Sequence, residues 1–265
     1  MPHHETWLSV LLGSLYRDAE AAAQAGPSYL GAGPIGLQHV VGAVFVVLIL
    51  VVVGLVVRGR LADPEKNLVP RDKLTVSGFV EVLVGATYDM MSQMMGAKAA
   101  RYFLPLIGTC ALFILFSNAI GLVPGFLPPT DNFNTTFACA MVIFFTTHIY
   151  GFREHGPGYL KHFFGPVRNV VAIPLMLLMF VIELISHAAR PATLGIRLMA
   201  NMTADHMVLG QFAELPATLI SPAVWWLPIA WPMYFLGTIV VVVQTLVFCI
   251  LSVVYISMAI EHEDH

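Results

Sequence analysis

The residues that could do chemistry in this sequence are charged side chains inside long apolar stretches. They are Glu183, Arg190, Arg197, Asp205 and His206. Ionisable residues at membrane depth are costly, and they mark ion pathways, proton relays or substrate sites. Arg197 is the sharpest candidate, because its guanidinium stays protonated and no carboxylate stands within seven residues of it. Snorkelling or a structural partner elsewhere in the bundle is the alternative to a functional charge.

Helical spacing predicts that several of these residues share one polar stripe. At 100° per residue, Asn201 lies about 40° from Arg197 and Asp205 about 80° from it. Glu183 also falls about 40° from Arg197, provided that Pro191 does not rotate it away. Such a stripe must face other helices or water, so it indicates a polar path through the membrane. His206 lies on the opposite side, although histidine is well suited to relaying protons.

Gln244 provides a possible counterpart on the next apolar stretch. An antiparallel hairpin centred near Ala217 or Thr218 places Gln244 at a depth comparable with that of Arg197. Gln244 could hydrogen-bond Arg197 without neutralising its charge. An ordinary interhelical glutamine contact is the alternative. Ser117 and Asn118 stand near the outer end of an earlier stretch, where they either line a pathway or simply pack.

Composition indicates that the elements carrying these residues lie in a membrane. Apolar residues make up 58% of the 265 and charged residues 11%, whereas soluble domains carry roughly 25% charged residues. The sequence has no basic stripe of the kind that would indicate nucleic-acid binding. The sequence predicts an all-α membrane protein with about five spans in one polytopic domain, residues 35–260. The spans cover about residues 35–57, 102–123, 134–150, 170–212 and 222–260.

The last two stretches are too long for upright spans, so they must tilt, kink or break. The candidate kinks are Pro174, Pro191, Pro228 and Pro232. The segment Val76 to Met95 mixes apolar residues with carboxylates and amides, which predicts an amphipathic helix at the membrane surface.

Lysine and arginine counts in the loops predict the orientation. Basic residues concentrate between the first and second spans and after the third, whereas the loop after the second span and residues 214–221 have none. Residues 1–34 are therefore predicted outside the cytoplasm, and the tail 261–265 inside it. The N-terminus lacks the form of a signal peptide, and no internal repeat is evident.

Other chemistry finds little support. Cys110, Cys139 and Cys249 stand singly in apolar runs and are expected to be small buried hydrophobes, not metal ligands or disulfides. His148, His155 and His162 flank a loop without a haem-ligand pattern, and His262 and His265 belong to the tail. We expect no cofactor and no metal. The chain has no GxxxxGK[ST] loop, so we expect no ATP site in it.

The stretch from Glu183 to Met202 resembles the signature of subunit a of bacterial F-type ATP synthases. Glu183-Leu-Ile-Ser followed by Arg190-Pro-Ala-Thr-Leu-Gly-Ile-Arg-Leu-Met-Ala-Asn-Met is similar to the family's E-x-x-S and R-P-x-S-L-x-x-R-L-x-x-N-M. Ser117-Asn-Ala-Ile-Gly-Leu-Val-Pro and Gln244-Thr also resemble family segments. The resemblance covers most of residues 70–260.

The resemblance implies a non-catalytic stator channel in the bacterial inner membrane. Its partners would be a ring of c subunits, b-type peripheral stalk subunits, the rest of the ATP synthase and the lipid bilayer. The two long helices would lie as a hairpin against the ring. Arg197 matches the arginine that attracts the rotor carboxylate and separates two offset half-channels. Glu183, Asn201 and Gln244 match channel or arginine-supporting positions.

One place departs from the family pattern. The pair Asp205-His206 is usually Gly-Glu, and a histidine often stands where this chain has Gly237. This resembles a relocation of ionisable groups between neighbouring helices, and we expect Asp205 and His206 to belong to the proton path. A secondary transporter that binds an anion through Arg197, or a quinone or haem subunit, is the alternative. We favour protons over sodium as the coupling ion.

Overall fold

The computed structural model describes residues 6–24, 37–61, 75–123, 125–156, 158–159, 173–219 and 231–260. Within these residues the long elements are α-helices, with a 3₁₀ turn at Pro129–Asp131. The helices are α1 (Trp7–Gln24), α2 (Gln38–Leu61), α3 (Val76–Met95), α4 (Ala97–Gly121), α5 (Phe133–His155), α6 (Ile173–Leu219) and α7 (Trp231–Ile260).

Five of the described helices are long and apolar enough to cross a membrane. The candidate spans are Gln38–Gly59, Ala97–Gly121, Phe133–His155, Met176–Val208 and Tyr234–Ile260. The predicted all-α membrane fold is therefore confirmed, and each predicted stretch corresponds to one of these helices. The division into an outer N-terminal segment, a membrane domain and a tail stays a prediction, and residues 261–265 lie outside the described residues.

The structure describes three of the four candidate kink prolines. Pro174 and Pro232 are each the second residue of their helix as described. Residues 160–172 and 220–230, which precede these helices, lie outside the described residues, so a kink at either proline stays a prediction. Pro191 lies inside α6, a helix of 47 residues that continues through it. Pro228 lies outside the described residues.

The C-terminal end of α6 extends into the predicted loop. The sequence was interpreted as a connection over residues 214–221, but the helix continues to Leu219. Glu214, Leu215 and Ala217 are good helix formers, and they outweigh Pro216 in this segment. Residues 220–230, between α6 and α7, lie outside the described residues.

The interfacial segment forms a helix with the predicted bounds. Thr75 caps α3, because its hydroxyl accepts a hydrogen bond from the backbone N–H of Gly78 at 3.3 Å. The helix packs against α4 and α7, and Met91 is buried there. Its placement at the membrane surface stays a prediction.

Two apolar clusters hold the spans together. One joins α3, α4 and α7 around Met91, Ile107 and Val253. The other joins α4, α5, α6 and α7 around Ile143, Leu198 and Phe248. Helix α6 packs chiefly on α5 and also contacts α7, and this packing fixes which of its faces remains open.

The N-terminal helix, which the sequence did not predict, rests on the loop after α4. The backbone N–H of Trp7 donates to the carbonyl of Gly125 at 3.1 Å. Gly125 has φ 88°, and its Cα lies against the Trp7 indole, so the position needs glycine for both reasons. The three cysteines are free as expected, although Cys110 and Cys139 are half-buried and only Cys249 of the three is buried.

Candidate functional site

Arg197 lies on a face of α6 that the other described helices leave uncovered. Leu194, Leu198 and Met202 point into the bundle and are at most 3% exposed. Thr193, Ile196, Arg197, Ala200, Ala204 and Met207 are exposed. We call these six residues the open face of α6. Three of them are small, which allows another helix to approach closely.

The guanidinium of Arg197 forms no ion pair with a carboxylate among the described residues. The structural-partner alternative therefore gains no support from the described part of the chain. The charge sits at the edge of the open face, next to the polar contact between α6 and α7.

That contact joins Asn201 to Gln244. The Asn201 Nδ2 donates to Gln244 Oε1 at 2.6 Å, and Gln244 is only 4% exposed. The sequence suggested Arg197 as the partner of Gln244, whereas the structure pairs Gln244 with Asn201, one turn farther along α6. The depth argument for the two helices was sound, because α6 and α7 do bring these side chains together.

Toward its C-terminal end, α6 carries a second group of polar side chains. A Cβ added at Gly237 would lie 3.0 Å from Asp205 Oδ2 and 2.7 Å from the Leu122 side chain. The carboxylate of Asp205 therefore occupies the space beside α7 that a side chain at position 237 would need. The relocation of an ionisable group from α7 to α6 stays a prediction. His206 is partly buried.

The 3₁₀ turn completes this second group. The Thr203 hydroxyl donates to Asp131 Oδ1, and the Thr130 hydroxyl donates to Asn118 Oδ1 at 2.6 Å. We call Asn118, Thr130, Asp131, Thr203 and Asp205 the outer cluster, because the predicted orientation places it on the extracytoplasmic side.

The outer cluster retains unused hydrogen-bonding capacity. Ser117 and Asn118 are fully buried, and Ser117 Oγ and Asn118 Nδ2 have no hydrogen-bond partner within the described residues. Buried polar groups normally find a partner, and ordered water supplies one where protein does not. Whether these two residues line a pathway or simply pack stays open.

A third polar group lies near the N-terminal end of α6. His187 Nδ1 lies 3.0 Å from the Glu183 carbonyl oxygen and 3.2 Å from Glu183 Oε1. The His187 ring faces the His148 ring of α5, with centroids 5.4 Å apart. Tyr159 lies against His148 at a centroid distance of 6.0 Å. We call Glu183, His187, His148 and Tyr159 the inner cluster.

Aromatic rings and one arginine surround the inner cluster. The Arg190 guanidinium carbon lies 5.5 Å from the centre of the Tyr255 ring, a cation–π distance. Burial raises the pKa of the Tyr159 phenol, and the positive charge of Arg190 opposes that rise. Tyr159 therefore stays neutral near pH 7 and can both donate and accept a hydrogen bond.

The predicted site residues thus fall into separate groups along α6. Asn201 and Gln244 meet directly, Asp205 lies in the outer cluster, and Glu183 lies in the inner cluster. Glu183 does not reach Arg197, since fourteen residues of helix correspond to about 21 Å. Their membership in one proton path remains a prediction.

Sequence reasoning missed several members of these groups. The spacing of Glu183 and His187, one turn apart, could have suggested their contact. Asp131, Thr203, His148 and Tyr159 offered no local signal, because their contacts depend on the register between different elements. Among the described residues, no group of three or more His, Cys, Asp and Glu side chains could hold a metal ion.

Comparison with known proteins identifies the family. The model of the ATP synthase A chain family matches residues 40–257. "ATP synthase subunit a" of Sorangium cellulosum is 39% identical over 268 residues, covering 100% of both chains. Its namesake in Citrifermentans bemidjiense is 41% identical over 86% of this chain and 92% of the relative. The protein of the same name from Geobacter sulfurreducens is 41% identical over 80% of this chain and 85% of the relative.

These matches confirm the resemblance seen in the signature around Arg197. They extend over the candidate site, because the matched region contains α3 to α6 and nearly all of α2 and α7. The chain therefore belongs to the ATP synthase A chain family, whose members named here are each called ATP synthase subunit a.

Proposed function

We propose that this chain is the proton-translocating stator of an F-type ATP synthase membrane sector. It is a channel subunit without an ATP site of its own. It offers two half-channels to the carboxylates of a c-subunit ring, and proton flow between them drives rotation and ATP synthesis. Family membership supports the assignment to ATP synthase, and the layout of polar groups along α6 supports this mechanism.

The open face of α6 is the proposed surface for the rotor. Thr193, Ala200 and Ala204 allow a rotor helix to pass close to the α6 backbone, and Arg197 borders the same surface. A permanent cation favours the ionised form of a nearby carboxylate and lowers its pKa. A rotor carboxylate would therefore lose its proton on arriving opposite Arg197. The fixed charge would also hinder direct proton passage between the two half-channels.

The outer and inner clusters are the proposed half-channels. Thr203 and His187 are sixteen residues apart, or about 24 Å along α6. The outer cluster lies toward the 3₁₀ turn and α7, whereas the inner cluster lies toward α5. Two clusters offset in this way would form two separate half-channels, so that a proton would ride the ring from one to the other. Each full transit releases about 2.3 kcal/mol per 100 mV.

The remaining assignments follow from the same proposal. The complex would lie in the bacterial inner membrane with this chain's N-terminus outside and its C-terminus in the cytoplasm. Besides the ring, the chain would bind b-type peripheral stalk subunits. Protons are the proposed coupling ion, and Asn201 and Gln244 would hold α6 and α7 in register beside Arg197.

The observation that carries the proposal is an exposed arginine with no carboxylate partner in the described chain, set between two polar clusters. ATP-driven proton pumping in vesicles with Arg197→Ala tests it. We expect pumping to disappear while the complex remains assembled, because the rotor carboxylate loses its attracting charge. Arg101→Ala is the matched control, since it removes an exposed arginine from the first turns of α4.

Assembly is measured by the amount of c ring that copurifies with the chain. Normal pumping by Arg197→Ala, at normal assembly, would refute the proposed mechanism. Loss of pumping in Arg101→Ala to the same extent would show that the effect is not specific to Arg197.

A further inference from the structure

Two histidines on different helices face each other at the inner end of the bundle. His148 belongs to α5 and His187 to α6, and their rings are nearly perpendicular, with an interplanar angle of 79°. Both residues are partly buried. The proton path predicted from the sequence used neither of them. Of the inner cluster, that path included Glu183 alone, one turn before His187.

The hydrogen bonds of the two rings fix where each carries its proton. His148 Nδ1 lies 2.9 Å from the Phe144 carbonyl oxygen, and His187 Nδ1 lies 3.0 Å from the Glu183 carbonyl oxygen. A carbonyl oxygen only accepts, so each neutral ring carries hydrogen on Nδ1 and a lone pair on Nε2. Each ring can therefore accept one further proton at Nε2.

The surroundings of the pair include a carboxylate and a small cavity. The Glu183 carboxylate, 3.2 Å from His187 Nδ1, favours the imidazolium form of His187, whereas the partial burial of the ring disfavours it. Beside His148 lies a cavity of about 10 Å³, also lined by Thr147, Arg190 and Tyr255, which is close to the smallest volume that holds a water molecule.

Other charges and titratable groups face the pair from each neighbouring element. Arg190 of α6 opposes protonation of the pair because its charge has the same sign. Tyr159, which follows α5, covers His148 on one side. Gly151 makes room for that ring, since a Cβ there would lie 2.6 Å from the Tyr159 ring. Tyr255 of α7 engages Arg190.

We propose that His187 and His148 form a two-histidine proton relay that carries protons from the Glu183 end of α6 across to α5. This inference rests on the proposed function and adds two residues to its inner half-channel. His187 accepts a proton from water at Nε2 and becomes imidazolium beside Glu183. It then gives that proton to His148 Nε2, and His148 releases it to water. Both rings return to their neutral forms, so no charge accumulates.

The test uses the whole complex in vesicles after the catalytic head has been stripped. Passive proton conductance is measured from pH 5 to 8 for the native chain, His148→Gln, His187→Gln and the double variant. We expect each single variant to lose conductance about 100-fold or more, since a positioned proton-transfer group is removed. The double variant should lose no more than either single variant, because both act in one relay. His39→Gln on α2 is the matched control.

Three further readouts separate a relay from a structural contact. Native conductance should change with pH between about 5 and 8, where histidine changes charge. That change should vanish in the variants, and added imidazole should restore conductance. All values are expressed per assembled complex, and His148→Asn and His187→Asn serve as a second pair if the glutamine variants assemble poorly.

Native-like conductance with an unchanged pH profile in the single variants would overturn the relay. So would native conductance that does not change across the pH range, a result that needs no variant. These failures are distinct from failure of the proposed function. If Arg197→Ala abolishes pumping while the histidine variants conduct normally, only the relay is wrong.

Discussion

The two faces of α6 belong to one helix but obey different constraints. On the face toward α5 and α7, Leu194, Leu198 and Met202 are buried, and Gly195 lies against the backbone of Phe137. On the open face, small residues and Arg197 have no covering helix among the described residues. The side chains of the packed face make their contacts within the chain. The open face contains a charge that has no counterion among the described residues.

The two faces should therefore respond differently to substitution. Substitutions on the packed face should reduce the amount of folded chain, because they disturb contacts made within it. Substitutions on the open face should leave the chain folded and disturb only what the partner does.

The strongest disruption is expected at Gly195. A Cβ at this position would lie 3.2 Å from the Phe137 Cα and 3.3 Å from its backbone nitrogen. Because backbone atoms cannot move aside as a flexible side chain can, Gly195→Leu should force α5 and α6 apart. Overpacking of this kind costs about 1–3 kcal/mol or more. We expect little folded subunit in membranes, measured by protease resistance and by recovery of the assembled complex.

Ala200→Leu is the matched change on the open face. It adds the same side chain where the described structure offers no obstacle. The chain should fold and assemble in normal amounts, while ATP-driven pumping falls because the rotor helix can no longer pass closely. Equal losses of folded chain in the two variants would remove the distinction between the faces.

A smaller effect is expected where the two faces meet, at the Asn201–Gln244 hydrogen bond. A double-mutant cycle with Asn201→Leu and Gln244→Leu measures it. Interhelical hydrogen bonds in membranes are worth about 0.6 kcal/mol on average and up to about 2 kcal/mol. We expect a coupling energy in that range, read from the thermal stability of the complex in detergent. Additive effects of the two substitutions would show that the contact does not hold α6 and α7 in register.

The sequence was sufficient for much of the fold. Continuous apolar stretches predicted the five candidate spans, and Val76–Met95 was predicted with its observed bounds, since Thr75 and Gly96 end the segment at either side. Helix ends were less predictable. Pro174 and Pro232 were candidate kinks because the last two stretches are too long for upright spans, and this stays a prediction. The end of α6 at Leu219 could not be located from apolar periodicity alone.

The candidate site was predicted where it depends on one helix and missed where it depends on two. Arg197, Asn201 and Asp205 stand out because polar residues are costly in an apolar run. The contact of His187 with His148 depends on how α5 and α6 are set against each other. So does that of Thr203 with Asp131, which joins α6 to the 3₁₀ turn. No local pattern reports that register.

Disulfide cross-linking to the rotor tests the central claim about the open face most directly. Cys110, Cys139 and Cys249 are first replaced by serine. Ala204→Cys on the open face and Met202→Cys, at a position that is 1% exposed, are then each oxidised in complexes with cysteines along the outer rotor helix. We predict a cross-link from Ala204→Cys and none from Met202→Cys. Assembled complexes with no cross-link from Ala204→Cys at any rotor position would contradict the account.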